Sequence, residues 1–339
     1  MHSFDPAELS MYLSAYVPGF DGLEAITRFS DGQSNPTYKL TTKSGSFVLR
    51  AKPPGVLLPS AHQIEREYHV MQALAQTAVP VPKMLHLCRE DAPFGAAFFV
   101  MEMLEGRVLW DPLLPGMTPP ERTAIHDAMI TTLARLHSVN PTQIGLADFG
   151  APGNYFARQC ARWTKQYRAT QTQARPDVDW LIDWLAQNLP ADDGQIAITH
   201  GDFRLDNMVF APNAPEVLGL LDWELSTLGH PMADLAYQCM GLRLPNSGLV
   251  RGLGGADRAA LGIPFEDTYI ARYCTLRGID LPRNWPFYLT FSYFRLLAIL
   301  QGIVARAQSG NASNPGDMVA LAASITTMAT DACAIARGD

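Results

Sequence analysis

Ile198-Thr199-His200-Gly201-Asp202-Phe203-Arg204-Leu205-Asp206-Asn207-Met208-Val209-Phe210 runs from an apolar entry through a polar turn to an apolar exit. The spacing His-x-Asp-x-x-x-x-Asn puts a carboxylate, Asp202, and a carboxamide, Asn207, five residues apart on one loop. A second acid, Asp222, follows fifteen residues after Asn207, at the end of the apolar run Val217-Leu218-Gly219-Leu220-Leu221. Two strands flanking a short turn would form a hairpin whose open end carries Asp202, Asn207 and Asp222 together. That set suits phosphoryl transfer. One carboxylate accepts the proton of an attacking hydroxyl, while an amide oxygen and a second carboxylate hold Mg2+ on nucleotide phosphates.

His200 to Asn207 followed by Asp222-Trp223-Glu224 resembles the catalytic and metal-binding loops of the aminoglycoside phosphotransferase-like branch of the protein-kinase fold. Protein kinases carry H-R-D and D-F-G at these places. This branch carries H-G-D and a D-aromatic-acidic triplet, as here. The resemblance implies an α+β fold of two lobes, a small N-lobe of antiparallel sheet plus helix and a larger, mainly helical C-lobe. It implies ATP as donor, with GTP as the alternative, and Mg2+ as cofactor. Asp202 is then the catalytic base, Asn207 and Asp222 the metal ligands, and Arg204 a cation that approaches the transferred phosphate. His200 holds the loop by hydrogen bonds.

Upstream, Ile26 to Leu40 reads as strand, polar turn and strand, with the turn at Ser30-Asp31-Gly32-Gln33-Ser34-Asn35. Gly32 and its small neighbours let backbone N–H groups come close to phosphates, which makes Gly32, Ser34 and Asn35 nucleotide-binding candidates under the resemblance. The turn has one glycine, unlike the G-x-G-x-x-G of protein kinases, and taken alone reads as an ordinary hairpin turn. The strand Ser46 to Lys52 places Val48, Arg50 and Lys52 on one face by alternation. The kinase pattern V-A-I-K maps onto Phe47-Val48-Leu49-Arg50. Val48 would lie against the adenine and Arg50 on the α/β-phosphates, with Lys52 the second candidate for that contact. Arginine keeps the charge of the family's lysine and replaces a point donor by a planar fork.

Ala61 to Gln76 is helical in pattern, with Ile64, Tyr68, Met71 and Ala75 as its apolar stripe. Glu67 lies at the edge of that stripe and Glu65 points off it. Glu67 is therefore the expected partner of Arg50; an exposed carboxylate is the plainer alternative. Val48-Leu49-Arg50, Lys52-Pro53-Pro54-Gly55, Leu58-Pro59-Ser60-Ala61-His62 and Arg66-Glu67-Tyr68 resemble the phosphotransferase-like domains found fused to, or encoded with, acyl-CoA dehydrogenases. Phe98 to Leu104 is a strand that the resemblance makes the hinge, with the backbone of Glu102 and Met103 facing adenine. The expected lobes are residues 1–103 and 104–339.

Farther on, Pro119 to Val139 has the spacing of a long helix, ending at a structural His137. Residues 140–195 read as a substrate-side insertion. Within it a helix over Asn154 to Ala169 carries Arg158, Arg162, Lys165 and Arg168 on one face, either a solvated face or an anion-recognising one. Asp234, at the start of another helix, is expected to brace the catalytic loop. The glycine-rich stretch Gly248 to Gly262 reads as a flexible loop able to close on substrate. Helices near 264–277, 286–307 and 314–337 complete the chain.

With 339 residues, 47% hydrophobic and 17% charged, the chain can bury a substantial core. A net charge of −7 argues against a general nucleic-acid binder. Five scattered cysteines without a C-x-x-C pair suit a reduced, cytoplasmic setting. The N-terminus lacks the pattern of a secretory signal. The apolar run Trp285 to Val304 holds Pro286, Arg295 and Gln301, so it reads as a core helix rather than a membrane span. The partner expected is a small molecule bearing a hydroxyl: a hydroxyacyl compound or its CoA thioester, with an aminoglycoside, choline or a sugar as alternatives.

A different class of function is a pseudokinase-like module that binds nucleotide or a partner without transfer; the joint presence of Asp202, Asn207 and Asp222 counts against it. A metal-dependent hydrolase using His200, Asp202 and Asp222 would need further ligands, and no H-x-x-x-H or H-x-H cluster supplies them.

Overall fold

The computed structural model describes residues 4–29, 35–53, 63–89, 94, 96–248, 250–309 and 318–338. Gly32, Ser34 and residues 54–62 lie outside them. In chain order the elements are α1 (Pro6–Tyr16), β1 (Ala25–Arg28), β2 (Thr37–Thr42), β3 (Gly45–Ala51), α2 (Ile64–Leu74), β4 (Met84–Cys88), β5 (Phe98–Glu102) and β6 (Arg107–Val108). Then come α3 (Pro119–Ser138), α4 (Tyr155–Thr170), α5 (Pro176–Gln187), β7 (Ala197–Thr199), β8 (Met208–Phe210), β9 (Val217–Leu220) and β10 (Thr227–Gly229). The chain ends with α6 (Met232–Arg243), α7 (Arg258–Leu261), α8 (Glu266–Arg277), α9 (Trp285–Gln308) and α10 (Met318–Arg337). They form two compact units. The first holds Met1–Val108, Asn140–Ala147 and Asp206–Ser226; the second holds Leu109–Val139, Asp148–Leu205 and Thr227–Asp339. The first unit thus runs past Met103 and takes in Asn207 and Asp222, which a division at residue 103 leaves in the second.

The first unit is built on an antiparallel sheet in the order β1-β2-β3-β5-β4. Helix α1 starts under Asp5, whose carboxylate accepts the N–H groups of Ala7 and Glu8 and satisfies two of the helix's orphan donors. Its Leu9 and Leu13 are fully buried in a core with Phe20, Leu40, Leu49, Phe98 and Val100. The pleat of β3 sends Leu49 and Ala51 into that core and leaves Val48 and Arg50 on the opposite face. Helix α2 buries Ile64, Tyr68, Met71 and, on the same stripe, Glu67. A second, three-stranded sheet runs β6-β8-β9, with β8 and β9 the expected hairpin. The extended segment before β4 joins it, because Leu220 N–H donates to the Pro80 carbonyl at 2.9 Å.

The second unit is mainly helical. A capping box opens α3: Glu121 accepts the Thr118 N–H at 2.6 Å and its hydroxyl at 2.7 Å. Helix α9 is the core element. Phe287, Phe291, Phe294, Leu297 and Ala298 are buried, and α4, α6 and α10 pack against it. By length and composition α9 and α10 could each cross a membrane, yet 89% of the apolar window of α9 is buried inside the fold, as expected of a core helix. Strands β7 and β10 pair antiparallel and carry the chain into the His200 loop and into α6.

The glycine-rich stretch is not the open loop its composition suggests. Gly252 N–H donates to the Pro245 carbonyl, Leu253 N–H to Gly241 and Gly254 N–H to Leu244, at 2.7–2.9 Å. A Cβ on Gly254 would stand 2.2 Å from the Arg243 carbonyl oxygen. Glycine is there because backbone meets backbone, and the expectation of a flexible lid is corrected accordingly.

Candidate active site

The first unit assembles a charged cluster around Arg50. Strand β3 presents the guanidinium beside α2, where Glu67 Oε2 lies 2.9 Å from Arg50 Nε. The far end of the fork, Nη2, reaches Asp222 Oδ1 at 2.7 Å. Asn35, only 2% exposed, donates its Nδ2 to Glu67 Oε1 at 2.8 Å. The planar fork therefore serves two carboxylates at once, which a lysine point charge would not do with this geometry. The expected Arg50–Glu67 pair is present. Asn35, a nucleotide-binding candidate, has its carboxamide nitrogen on that pair.

Glu67 is 1% exposed, and burial pushes its carboxyl up to about 7; Asp222 and Glu224 add to the rise and Arg50 opposes it. Burial works to lower Arg50, but Glu67, Asp222 and Glu224 outweigh it and hold the guanidinium above its ordinary value. The hairpin β8–β9 supplies the rest of the cluster. Leu221 N–H donates to the Asn207 carbonyl at 2.8 Å, bringing the chain at Asn207 beside the chain at Asp222. Asp222 is one of three non-glycine residues with positive φ among those described (φ 65°), a conformation that costs a side chain of this kind energy and recurs at functional sites. Trp223 behind it is fully buried, its indole N–H on the Leu220 carbonyl at 2.9 Å, which locks the turn.

No group of three or more His, Cys, Asp or Glu side chains suited to a metal occurs among the described residues. The ligands that the resemblance names in the first unit are one carboxylate, Asp222, and one carboxamide, Asn207. That oxygen donor set is too small for an all-protein cage and fits Mg2+, which keeps substrate phosphates and water as its other ligands. Val48 is buried on β3, on the Arg50 face. At the expected hinge, Glu102 N–H donates to the Lys83 carbonyl at 3.0 Å and its carboxylate accepts Lys83 N–H at 2.7 Å. Both of those Glu102 groups are thus used within the fold, and Met103 follows β5.

The second unit holds the His200 loop from several sides. Asp234, in the first turn of α6, accepts His200 N–H at 2.6 Å and Gly201 N–H at 2.9 Å. Gly201 has φ 86°, the left-handed region that glycine enters without cost and that turns both N–H groups onto one carboxylate. His137 Nε2 lies 3.2 Å from Asp234 Oδ2, and its Nδ1 is 2.7 Å from the Tyr273 hydroxyl. Burial lowers the pKa of His137, so the ring is neutral: Nε2–H donates to Asp234 and Nδ1 accepts from Tyr273. Burial would raise Asp234; the hydrogen bonds from His137 and from the Gly201 N–H outweigh it and hold the carboxyl below its usual range. Asp234 and His137 are thus structural, as expected. His200 accepts Asp202 N–H on Nδ1 at 3.2 Å.

Asp202 itself is held at both oxygens. Oδ1 accepts the Tyr237 hydroxyl at 2.7 Å, and Oδ2 lies 3.2 Å from Arg204 Nε. Arg295, buried in α9, donates Nη2–H to the Gly201 carbonyl at 2.5 Å and lies over the Tyr237 ring at 5.5 Å. Sequence reasoning missed both residues. Tyr237 had a signal, since it follows Asp234 by three and so shares its helix face. Arg295 had another: a lone cation in an apolar helix needs a partner.

The cationic face of α4 is partly spent inside the fold. Arg158 donates to the carbonyls of Pro152 and Ala151, and Arg168 pairs with Asp179. Arg162 lies over the neighbouring Trp163 ring, and Arg162, Lys165 and Arg168 are the exposed members.

The model of the phosphotransferase enzyme family matches residues 25–283. Acyl-CoA dehydrogenase family member 10 of Mus musculus is 46% identical over 308 residues, which are 89% of this chain and 29% of that protein, so the chain spans under a third of that relative's length. A crystal structure from Ralstonia eutropha JMP134, named only provisionally as an aminoglycoside phosphotransferase, is 47% identical with a TM-score of 0.89 and covers 99% of both chains. An aminoglycoside phosphotransferase solved with AMP-PNP and hygromycin B is 12% identical with a TM-score of 0.62, covering 97% of this chain and 98% of that one, a likeness of fold alone. The match spans both clusters, from the strand before Asn35 to the residues beyond Asp234, and the chain belongs to the phosphotransferase enzyme family.

Proposed function

We propose that the chain is an ATP- and Mg2+-dependent phosphotransferase that moves the γ-phosphoryl group to a hydroxyl of a small molecule. The observation that carries this reading is the Arg50 fork held between Glu67 and Asp222. A half-buried guanidinium fixed by one carboxylate and shared with a second, strained one is the arrangement that positions phosphates beside a metal-binding acid. Arg50 orients the α/β-phosphates and Glu67 orients Arg50. Asn207 and Asp222 supply protein oxygens to Mg2+, which neutralises charge on the phosphates when bound. Asp202 accepts the acceptor's proton, and Arg204 meets the transferred group. Positioning and electrostatics carry most of such catalysis, because the transition state spreads charge over the phosphoryl oxygens.

The acceptor is a hydroxyacyl compound or its CoA thioester. The name of the Mus musculus relative supports that chemistry. The exposed cations Arg162 and Lys165 on α4 suit an anionic acceptor better than a polycationic aminoglycoside. A reduced, cytoplasmic setting belongs to the same proposal; the five cysteines are all free and buried, which suits it. The test is Mg-ATP turnover and phosphate transfer with hydroxyacyl-CoA, aminoglycoside, choline and sugar acceptors, beside Asp202→Ala. Transfer to one acceptor class is expected, lower by about 100-fold or more in the variant with Mg-ATP binding retained. Equal turnover in the variant, or tight Mg-ATP binding with no phosphorylated acceptor, would sink the reading.

A further inference from the structure

Helix α6 holds the catalytic loop twice. Asp234 takes two of its backbone N–H groups, and Tyr237, one turn on, takes the side chain of Asp202. The two oxygens of Asp202 have unlike partners. Oδ1 meets a hydroxyl on a short, rigid ring. Oδ2 meets Arg204, a long side chain that is 53% exposed. The ring is itself fixed, with the Arg295 guanidinium over its face and Nη2 of that guanidinium on the Gly201 carbonyl. Arg295 also lies over Trp163 of α4, at 5.7 Å. Burial, with the negative charge of Asp202, holds the Tyr237 hydroxyl well above its ordinary range, so it remains a proton donor throughout neutral pH.

We propose that Tyr237 is the positioning residue of the catalytic base: it pins Oδ1 of Asp202 and so directs the acceptor's proton to Oδ2. This rests on the phosphotransferase reading. As the acceptor's O–H bond breaks, its proton passes to Oδ2 and its oxygen bonds the γ-phosphorus. The bond from that phosphorus to the β–γ bridging oxygen breaks, and ADP leaves with the electron pair. Oδ1 is unsuited to the proton because a donor already occupies it. Arg204 gives up Oδ2 to the acceptor at little cost, since an ion pair whose cation faces solvent is worth little and the transferred phosphoryl group offers the guanidinium a stronger partner.

The experiment is a double-mutant cycle of Tyr237→Phe and Asp202→Ala on ATP-dependent transfer. Tyr237→Phe removes one oxygen and keeps the ring that Arg295 covers, so the fold is retained; a melting curve checks it. The expected result is a fall in kcat of about 10- to 100-fold, as for a displaced catalytic group, with KM for Mg-ATP unchanged. In the Asp202→Ala background the same substitution is expected to change nothing further, because the hydroxyl acts only through that carboxylate. An unchanged kcat in Tyr237→Phe, or an equal loss in both backgrounds, overturns the inference and leaves the phosphotransferase reading standing. An Asp202→Ala variant as active as the unmodified chain overturns both.

Discussion

Glu67 has two demands made on it that pull in opposite directions. Its charge fixes Arg50, yet at 1% exposure that charge is costly to bury, and the carboxyl sits at about 7 instead of the ordinary 4.5. The sign for stability follows from proton linkage. Between about 4.5 and 7 the folded chain holds a proton that the unfolded chain has lost, so this residue's contribution is complete below 4.5 and fades as pH rises through 7. The proposed phosphate positioning has the opposite sign, because Arg50 has its full partner only when Glu67 is ionised. Calorimetric titration of Mg-ATP between pH 5.5 and 8.5 is therefore expected to show affinity rising through about pH 7. Glu67→Gln, which keeps a carbonyl oxygen for Asn35 but never ionises, is expected to bind more weakly above pH 7 and to lose that step. An identical step in the variant would assign it to the nucleotide's own phosphate instead.

At the scale of elements, α6 and the turn that follows it give the sharpest contrast between two glycines. A Cβ on Gly254 would meet the Arg243 carbonyl at 2.2 Å, whereas one on Gly241, within α6, meets nothing within 4 Å. Gly254→Ala is expected to cost about 1–3 kcal/mol by forcing backbone apart. Gly241→Ala is expected to stabilise by up to about 1 kcal/mol through helix propensity. Urea unfolding of the two variants measures both, and equal effects would refute the packing argument. The same turn shows where sequence reading stopped. Helices such as α3 and α9 were legible because their apolar spacing is local, and β8–β9 because a short turn joins its strands. The Arg50–Glu67 pair was legible because each residue sits at a defined place on a strand and a helix. The pairing of β7 with β10, the turn of Asn35 onto Glu67 and the Tyr237–Asp202 bond depend on residues brought together from afar, and composition does not encode such encounters. Glycine is ambiguous in the same way, since freedom and close approach leave the same letter in the sequence.

For the molecule as a whole, the family match and the fold have different limits. The match runs from 25 to 283, yet both units keep essential core outside it. Before residue 25, α1 gives Leu9 and Leu13, each fully buried, to the core of the first unit, with Val17 and Phe20 beside them. Removing one such leucine side chain costs about 2–5 kcal/mol, so losing all four residues exceeds the stability of most domains. After residue 283, α9 supplies the centre of the second unit, and Arg295, which holds the Gly201 carbonyl, goes with it. A chain cut to the matched segment is therefore expected to be insoluble or to lack a cooperative unfolding transition. Deleting residues 1–24 alone is expected to abolish Mg-ATP binding by unfolding the sheet that carries Arg50. Circular dichroism and calorimetric binding on both truncations check this. A deletion of 1–24 that melted cooperatively and bound Mg-ATP as the full chain does would show that α1 is dispensable packing, and that the sheet and α2 alone suffice to hold the Arg50–Glu67 pair.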